Sequence, residues 1–586
     1  MIKTLAAQIK EYKRDAIITP IVMIGEVIME MIIPLMMASI IDNGINGNGG
    51  AGNMRHVFLI GCLMVVAAAF SLTFGFLGGK FGASASCGFA KNLRKAMFEN
   101  IQTFSFSNID KFATSGLVTR LTTDVTNLQN AFQMILRMAM RAPASLILAM
   151  VMSFSISPRL ASIYLVAVVL LSCFAVVIVK NAMKYFQQAF PKYDALNESV
   201  QENVSAIRVV KAYVREDHEN EKFKKASGDI YKVFVKAEGV VAWGAPTMTF
   251  VIYVCILLIS WFGAKMIVSD SLTTGQLMSL LTYCMNILMN LMMLSIIFVM
   301  LTMSAASARR VAEVLEEKAD IVNPENPVYE VKDGSVCFEN VSFAYGKDAE
   351  EMVLKNIDLQ IDSGETIGVI GGTGSAKSSL VNLISRLYDV NEGSLKVGGR
   401  DVREYDLETL RNEVSVVLQN NVLFSGTILE NLRWGNPEAT LEECKKVCEL
   451  ACASEFIEKM PEGYETLMDQ GGTNVSGGQK QRLCIARALL KKPKILILDD
   501  STSAVDTATD AKIRKAFREE IPGTTKFIIA QRISSVQDAD RIIVMHDGRV
   551  NGFGTHDELL ESNEIYKEVF ESQTSGSGDF DERGED

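Results

Sequence analysis

The feature that most constrains this chain is a series of long, nearly uncharged apolar runs confined to roughly its first 310 residues. A helix that crosses a bilayer needs about 20 predominantly apolar residues. The sequence predicts six such helices: Arg137 and Arg141 lie near the start of the third, and the sixth carries no charge. The predicted spans are residues 17–41, 57–77, 134–156, 160–179, 240–268 and 277–303.

The distribution of lysine and arginine between the spans predicts the orientation of the chain, because cytoplasmic loops carry an excess of these residues. Segments 80–132 and 180–239 carry six and eleven of them, whereas loops 42–56, 157–159 and 269–276 carry one, one and none. We therefore expect a multi-pass protein of the cell membrane, in a bacterium the cytoplasmic membrane, with both termini cytoplasmic. The long cytoplasmic segments have helical spacing, so spans two to five should continue as helices beyond the bilayer.

The rest of the chain has the composition of a soluble α/β domain. The predicted organisation is a transmembrane domain at 1–320, a linker at 321–334, a second domain at 335–572 and a disordered acidic tail at 573–586. The net charge of −11 argues against a nucleic-acid partner. Cysteines at 444, 448 and 452 have helical spacing, which favours a buried stripe over a metal site.

A phosphate-binding motif follows the apolar strand TIGVI. Residues 371–384 read GGTGSAKSSLVNLI, which nearly matches G-x-x-x-x-G-K-[ST] between a strand and a helix. Backbone N–H groups of such a loop cradle phosphates, Lys377 reaches the β and γ phosphates, and the Ser378 hydroxyl holds Mg²⁺. Ala376 replaces the usual glycine, and we expect it to lie in the right-handed helical region, where its methyl is tolerated. The predicted nucleotide-binding loop comprises Gly371, Gly372, Thr373, Gly374, Ser375, Ala376, Lys377, Ser378 and Ser379.

The stretch ILILDDSTSAVD, residues 495–506, supplies acids for the same site. Four branched aliphatic residues lead directly into Asp499 and Asp500, as at the end of a buried strand. A carboxylate in that position can bind the Mg²⁺ held by Ser378, directly or through water, and we assign this role to Asp499. Nucleotide hydrolysis also needs a group that positions the attacking water, and Asp500 is the next residue along.

Over nearly its whole length the chain resembles the ATP-binding cassette (ABC) transporters, specifically half-transporters of the exporter fold. VSFAY resembles the adenine-stacking loop, so Tyr345 would stack on the base, and VVLQNNVLFSGTILENL resembles the Q-loop, which would place Gln419 near Mg²⁺ and the water. NVSGGQKQRLCIARALL resembles the family signature and STSAVD the D-loop. The matching residues are Ser476, Gly477, Gly478 and Gln479 in the signature and Ser503, Ala504, Val505 and Asp506 in the D-loop.

The resemblance implies how the chain works and with what. ATP and Mg²⁺ would be its cofactors, and each signature would face the γ-phosphate held by the opposite cassette, so that two ATP molecules are shared between two cassettes. Cytoplasmic residues near Thr122–Val125 and Ala212–Arg215 would dock on the cassettes. One chain supplies six spans and one cassette, so the working unit would be a dimer.

Two residues depart from the family pattern. The residue after the first strand-end acid is usually Glu and here is Asp500, and the switch histidine is here Gln531, within IAQR. Asp is about 1.5 Å shorter in reach, and Gln cannot take a positive charge. Since both changes weaken hydrolysis while VSGGQ is nearly intact, we expect a heterodimer. Its second half-transporter would carry the Glu and the His.

The substrate is less constrained by the sequence. Heterodimeric exporters with one degenerate site are often multidrug exporters, which favours small amphipathic molecules. Candidate pocket residues are Met285, Met289 and Met292, which are flexible and polarizable, and the intramembrane acids Glu26 and Glu30. These acids either attract cationic substrates or pair with Arg137 or Arg141. Open alternatives are a lipid or peptide exporter, a metal-chelate importer of the same fold and a regulatory ATP-binding subunit.

Overall fold

The computed structural model describes residues 1–47, 52–346, 351–500 and 505–574. It divides into two compact units. The first, called here the membrane unit, comprises Met1–Gln102 and Thr114–Glu317. The second, the cassette unit, comprises Thr103–Ala113 and Lys318–Asp586. The predicted acidic tail lies outside the described residues from position 575 onward.

Six helical stretches in the described part of the chain are long and apolar enough to cross a membrane. They are Lys10–Ile45, Met54–Thr103, Thr114–Ile156, Pro158–Ser205, Glu216–Val268 and Thr274–Glu316. Each contains one of the predicted spans, so the six-span fold class is confirmed. Helices form here because hydrocarbon offers no partner for backbone N–H and C=O groups, which must therefore pair within each segment. Met54–Thr103 has 50 residues, about 75 Å of helix, which is far more than a bilayer requires.

The helices of the amino-terminal half are listed here in chain order. They are α1 (Ile2–Ala7), α2 (Lys13–Ser39), α3 (Met54–Thr103), α4 (Phe106–Phe112), α5 (Thr114–Thr119), α6 (Val125–Ile156), α7 (Pro158–Ser205), α8 (Ile207–Ala212), α9 (Glu216–Val241), α10 (Gly244–Val268) and α11 (Thr274–Glu316). Short π-helical segments follow α2 at Ile40–Ile45 and precede α6 at Arg120–Asp124, and Lys10–Tyr12 is a 3₁₀ turn.

Hydroxyl groups join the buried helices of the membrane unit. The Tyr283 hydroxyl of α11 donates to the Met31 carbonyl of α2 at 2.6 Å, and Ser279 donates to the Pro34 carbonyl, also at 2.6 Å. The Tyr164 hydroxyl of α7 donates to the Leu280 carbonyl at 2.9 Å. Each donor is thereby satisfied inside the bundle, where a polar group without a partner would be costly.

A buried acid fixes the segment that precedes α6 against α11, the helix of the sixth span. Asp124 is 1% exposed, and its carboxylate accepts hydrogen bonds from Arg310 Nε at 2.7 Å and from Ser307 Oγ at 2.8 Å. Val125 is also fully buried within the membrane unit. The side chains of Asp124 and Val125 therefore contact their own unit, whereas Thr122 is exposed, and docking of residues near Thr122–Val125 on a cassette stays a prediction.

The described residues of the cassette unit form three sheets. The strands are β1 (Val336–Phe343), β2 (Leu354–Ile361), β3 (Thr366–Ile370), β4 (Glu392–Val397), β5 (Arg400–Asp401), β6 (Val414–Val417), β7 (Gly426–Thr427), β8 (Leu467–Met468), β9 (Ile495–Asp499), β10 (Thr525–Ile529), β11 (Arg541–His546) and β12 (Arg549–Gly554). The antiparallel sheet has the order β2-β1-β4-β5, the largest has the order β12-β11-β3-β10-β9-β6, and β7 pairs with β8.

The largest sheet is parallel from β11 to β6 and is buried on both faces. In β9, Leu496 and Leu498 join one hydrophobic cluster, while Ile495 and Ile497 join the cluster on the opposite face. Alternate residues of a strand point to opposite faces. This explains why the sequence ILIL has no polar residue, since parallel strands covered on both sides are continuously apolar.

The helices of the cassette unit complete the layers around the sheets. They are α12 (Lys377–Ile384), α13 (Leu407–Glu413), α14 (Ile428–Arg433), α15 (Leu441–Leu450), α16 (Ser454–Ile457), α17 (Gly477–Leu489), α18 (Thr507–Glu520), α19 (His556–Ser562) and α20 (Glu564–Thr574), with 3₁₀ turns at Val402–Glu404, Gly463–Glu465 and Ile533–Ser535.

Helix α4 belongs to the cassette unit although it lies between two spans in the sequence. Within that unit the Tyr388 hydroxyl donates to Asp110 Oδ2 at 2.8 Å, and the Tyr388 ring lies 6.0 Å from that of Phe106. Asn108 donates to the Lys318 carbonyl at 3.1 Å. The segment between spans two and three thus contributes a helix to the cassette unit.

Ala376 does not lie in the right-handed helical region, so that expectation is wrong. It is the N-cap of α12 with φ 72° and ψ 25°, which is left-handed backbone. A Cβ in this region is disfavoured by roughly 1 kcal/mol or more. The loop must reverse direction here for the first turn of α12 to begin at Lys377, and the motif's usual glycine would do this without the steric cost.

We expect Ala376→Gly to stabilise the cassette unit by up to about 1 kcal/mol, because the left-handed strain is removed while glycine's larger unfolded-state entropy offsets part of the gain. Calorimetric melting of the full chain would measure the shift. The control is Ala511→Gly, an exposed position within α18, which should lose about 0.5–1 kcal/mol. Equal destabilisation by both substitutions would contradict the strain.

Candidate nucleotide-binding site

Four adjacent parallel strands end at the same edge of the largest sheet. Strand β10 lies between β3 and β9, with Ile529 opposite Asp499, and β6 flanks β9 with Val417 opposite Leu498. The segments that leave these four strands carry the phosphate-binding loop, the two acids, Gln531 and Gln419. The pairing of the strands therefore brings together side chains that are up to 160 residues apart in the sequence.

The phosphate-binding loop is tightly constrained around the amine of Lys377. Lys377 Nζ donates to the carbonyl oxygens of Gly371 and Gly372 at 2.7 and 2.8 Å. Gly371 has φ 155°, and a Cβ added there would lie 2.3 Å from the Met545 carbonyl oxygen. Only glycine can occupy this position so close to the Met545 carbonyl. This close contact holds the loop beside the Lys377 ammonium group.

Ser378 and Asp499 form the direct link between the loop and the neighbouring strand. The Ser378 hydroxyl donates to Asp499 Oδ1 at 2.9 Å, and Asp499 is 5% exposed. Burial raises the pKa of the Asp499 carboxyl above its usual value, and the Asp500 carboxylate adds to this, while the Ser378 hydroxyl and the Lys377 amine oppose it. The Ser378 hydroxyl and the Asp499 carboxylate supply oxygen ligands of the kind that Mg²⁺ prefers. A bound cation would also offset the cost of burying the ionised carboxylate.

Asp500 lies where the amides of two glutamines converge. Gln531 Nε2 and Gln419 Nε2 donate to the same oxygen, Asp500 Oδ2, at 3.3 and 3.4 Å. The backbone of Asp500 is left-handed with φ 46°, a conformation that aspartate adopts more readily than most residues. The three residues that the sequence singled out as catalytic candidates are therefore in one constellation.

Gln481 is a neighbour of this constellation that the sequence did not reveal. Its side-chain amide donates to the Asp500 carbonyl oxygen at 3.2 Å, and the residue is 3% exposed. It lies on α17, three residues after Gly478. Only the packing of α17 against the end of β9 brings it to the acid, so its local sequence carried no signal for this contact.

Tyr345 lies beside the start of α12. Its hydroxyl is 2.7 Å from that of Ser379, while 48% of its surface is exposed. The edges of the Phe343 and Tyr388 rings support it, with centroids 4.9 and 5.1 Å away. An exposed aromatic ring so held next to the phosphate-binding loop is available to stack on a planar base.

The signature residues form the start of a 13-residue helix. Ser476 is the N-cap of α17, and it exchanges hydrogen bonds with Gln479 in a capping box, at 2.9 and 3.3 Å. Ser476 and Gly477 are exposed. The positive end of the helix dipole is thus accessible, an arrangement that suits an anion.

The D-loop is described only in part. Ser503 and Ala504 lie outside the described residues. Val505 is 9% exposed, and Asp506 caps α18 by accepting a hydrogen bond from the Thr509 amide at 3.0 Å. Hydrogen bonds from the side-chain hydroxyl and the backbone amide of Thr509 lower the pKa of Asp506.

Among the candidate substrate residues of the membrane unit, the two acids form ion pairs and the three methionines are exposed. Glu30 Oε1 lies 2.6 Å from an Arg141 guanidinium nitrogen, and Glu26 Oε1 lies 3.7 Å from the same nitrogen. The two acids therefore pair with Arg141 of a neighbouring helix, one of the two alternatives that the sequence left open. Met285, Met289 and Met292 on α11 are 45%, 69% and 45% exposed.

Comparison with known proteins gives a consistent result for both units. Residues 16–312 match the family described as the ABC transporter transmembrane region, and residues 354–503 match the ABC transporter family. The uncharacterized ABC transporter ATP-binding protein YfiB of Bacillus subtilis is 37% identical over 570 residues, covering 97% of this chain and 98% of that protein. The probable multidrug resistance ABC transporter ATP-binding/permease protein YheI of B. subtilis is 31% identical over 579 residues, covering 98% and 97%.

A solved structure of a bacterial Atm1-family ABC exporter with ATP bound has the same fold, with a TM-score of 0.82 over 96% of this chain and 99% of that one, at 23% identity. The two family matches, the two long relatives and the shared fold agree with the six spans and the nucleotide-site geometry. This chain therefore belongs to the ABC transporter family, as a membrane-embedded half-transporter of the exporter fold that joins one transmembrane region to one ATP-binding cassette.

Proposed function

We propose that this chain is the slowly hydrolysing half of a heterodimeric ABC exporter of small amphipathic molecules. The observation that carries the proposal is the constellation of Asp500 with Gln419 and Gln531 at the strand ends. The chain would bind ATP at its own loop, turn it over slowly, and supply its signature to a faster site on the partner.

ATP binding is supported by what the site retains. The ring of Tyr345 would stack on the adenine, and the loop of Gly371 to Ser379 with the Lys377 amine would hold the phosphates. Ser378 and Asp499, with Gln419 nearby, would hold Mg²⁺, which would neutralise charge that develops on the phosphates. None of these groups depends on the two departures from the family pattern.

Slow hydrolysis is supported by geometry and by charge. The Asp500 carboxylate stands one methylene, about 1.5 Å, short of where a Glu carboxylate would reach. A misplacement near 1 Å can cost about a hundredfold in rate. Gln531 can donate a hydrogen bond through its amide but cannot carry a positive charge to the phosphate. Both changes therefore weaken the step that positions and polarises the attacking water.

The unequal dimer is supported by a contrast within this chain. Its own hydrolytic residues, Asp500 and Gln531, depart from the family pattern, whereas its signature is nearly intact. The residues that a partner's ATP would meet, Ser476, Gly477 and Gly478, form an accessible and fully capped helix start. A pair of identical chains would have two weak sites, whereas a partner with Glu and His would complete one competent site against this signature. Both termini would lie in the cytoplasm, as the loop charges indicate.

Export of amphipathic molecules is supported by the exporter fold and by the relatives. YheI is described as a probable multidrug resistance protein, and the exposed methionines of α11 offer an adaptable surface to apolar ligands. The test of the assembly is purification of the tagged chain from its native membrane. We expect a second half-transporter with Glu after the strand-end Asp and His in the switch motif to copurify in equal amount. A stable, transport-active homodimer would contradict the proposal.

The slow site makes a kinetic prediction for the purified chain alone. The double substitution Asp500→Glu with Gln531→His should raise steady-state ATP hydrolysis by about tenfold to a hundredfold, because it restores both reach and charge. Adding Lys377→Ala to the double variant is the control and should abolish the gain. If the unmodified chain already hydrolyses ATP as fast as the double variant, its own site is not degenerate.

The raised pKa of Asp499 makes a prediction about stability. A carboxyl whose pKa is raised in the folded state holds its proton more tightly there, so its ionised form destabilises the fold once the pH exceeds the unfolded pKa. At pH 7 Asp499→Asn should therefore raise the melting temperature without nucleotide and abolish the additional stabilisation that Mg²⁺ gives with ATP.

Thermal melting with ATP, with and without Mg²⁺, measures both effects. Ser378→Ala is the matched control: it also removes a metal-binding oxygen but leaves the buried charge without its hydrogen bond, so the melting temperature without nucleotide should fall. A lower melting temperature for Asp499→Asn, or an unchanged Mg²⁺ effect, would contradict the assigned role.

A further inference from the structure

A cavity of about 620 Å³, open on one side, lies between α7 and α11 of the membrane unit. Pockets for small molecules are typically about 300–1,000 Å³. Its walls are mainly apolar, with Val176 and Val179 from one helix and Leu291, Leu294 and Phe298 from the other. The α7 residues recur every three or four positions, so they form one stripe along that helix. The cavity is thus a concave, mostly hydrophobic cleft between two spans.

Two lysines interrupt the apolar lining at one end of the cavity. Lys180 and Lys184 are one helical turn apart on α7, and both line the cleft. In the part of the chain that the structure describes, neither lysine has an ion-pair partner within 4.0 Å, and no acidic residue lines the cavity. The cleft therefore combines an apolar body with an uncompensated charge of about +2 at one end.

The position of the lysines along α7 fits the edge of a bilayer. Lys180 lies about 33 Å along the helix from Pro158, close to the thickness of about 30 Å of a hydrocarbon core. The apolar part of the cleft is consequently at membrane depth, and the ammonium groups are at the level where head groups and water begin. An occupant with an apolar body and a terminal anion would match both environments.

The intramembrane acids do not offset this charge. Glu26 and Glu30 pair with Arg141, and Arg137 lies one turn before Arg141 on α6. The four charges of this second cluster balance one another, so it offers no net attraction for a cation. Glu26 and Glu30 taken alone suggested a cationic substrate, whereas the two lysines of the cleft favour an anionic one.

We propose that the cleft between α7 and α11 binds amphipathic anions, with the carboxylate, sulfonate or phosphate at Lys180 and Lys184 and the apolar body against Leu294 and Phe298. This inference rests on the proposed export function and names its substrate class. Lys180 and Lys184 are specificity-determining residues, because an ammonium group favours an anion over a neutral or cationic molecule of the same shape.

The test is equilibrium binding to the full chain in phosphatidylcholine nanodiscs without nucleotide. The probes are dansylaminoundecanoate, its methyl ester and dansylaminoundecyl-trimethylammonium, which share a body and differ in charge. We expect the anion to bind at least about tenfold more tightly than the other two. Lys180→Gln with Lys184→Gln should remove that preference, while Lys180→Arg with Lys184→Arg should keep it.

Two further variants separate the cleft from general surface charge. Lys192→Gln removes a lysine of the same helix that lies outside the cleft and pairs with Asp229 at 3.7 Å, and it should leave anion binding unchanged. Leu294→Trp fills the cleft and should weaken all three probes alike. ATP-induced thermal stabilisation, measured on every variant, reports folding and the nucleotide site independently, so failure of the cleft proposal is distinguishable from failure of the proposed function.

Nanodiscs that contain phosphatidylglycerol identify the source of the anion. Competition with the probe would assign the cleft to an anionic lipid, and absence of competition would assign it to a free amphiphile; both results support an anion site. Equal affinity for the three probes would overturn the proposal, as would an anion preference that survives the double glutamine variant or is lost equally in Lys192→Gln.

Discussion

The parallel pairing of β3, β10, β9 and β6 is the interaction on which the nucleotide site depends. Backbone hydrogen bonds between these strands align their carboxyl ends, and the phosphate-binding loop, the two acids, Gln419 and Gln531 leave the sheet at that edge. The pairing requires strands that are buried on both faces, which explains the continuous apolar run before the two acids. A slip of one residue would turn the alternate side chains to the opposite face and separate Asp499 from Ser378.

Several features of the nucleotide site are locally unfavourable and are held in place by the surrounding fold. Asp499 is a carboxylate held in a buried position, and Ala376 and Asp500 both have left-handed backbone. Such features persist only where neighbouring contacts over-determine them, and they concentrate where ligands bind. Gly371 against Met545, Ser378 against Asp499 and Gln481 against Asp500 are those contacts here. The strain and the buried charge lie on the residues that would meet the nucleotide.

The membrane unit contains two clusters of charged side chains that differ in how their charges are paired. At Glu26, Glu30 and Arg141 opposite charges meet inside the bundle and hold two helices together. At Lys180 and Lys184 like charges stand together at the end of an apolar cleft. In the first arrangement opposite charges offset one another within the chain, whereas the two lysines of the second have no acidic partner among the described residues. The charged residues of one unit thus differ in their surroundings, which their sequence positions alone do not distinguish.

The sequence by itself determined the six spans, the strand–loop–helix of the phosphate site and the identities of Lys377, Ser378, Asp499, Asp500 and Gln531, because hydrophobic runs and short motifs are local. The tertiary structure decided which distant groups meet. It placed α4 in the cassette unit, buried Asp124 against Arg310, set Ala376 in a left-handed conformation, brought Gln481 to Asp500 and paired Glu30 with Arg141. These outcomes depend on which faces of separate elements pack together, and local periodicity does not encode that choice.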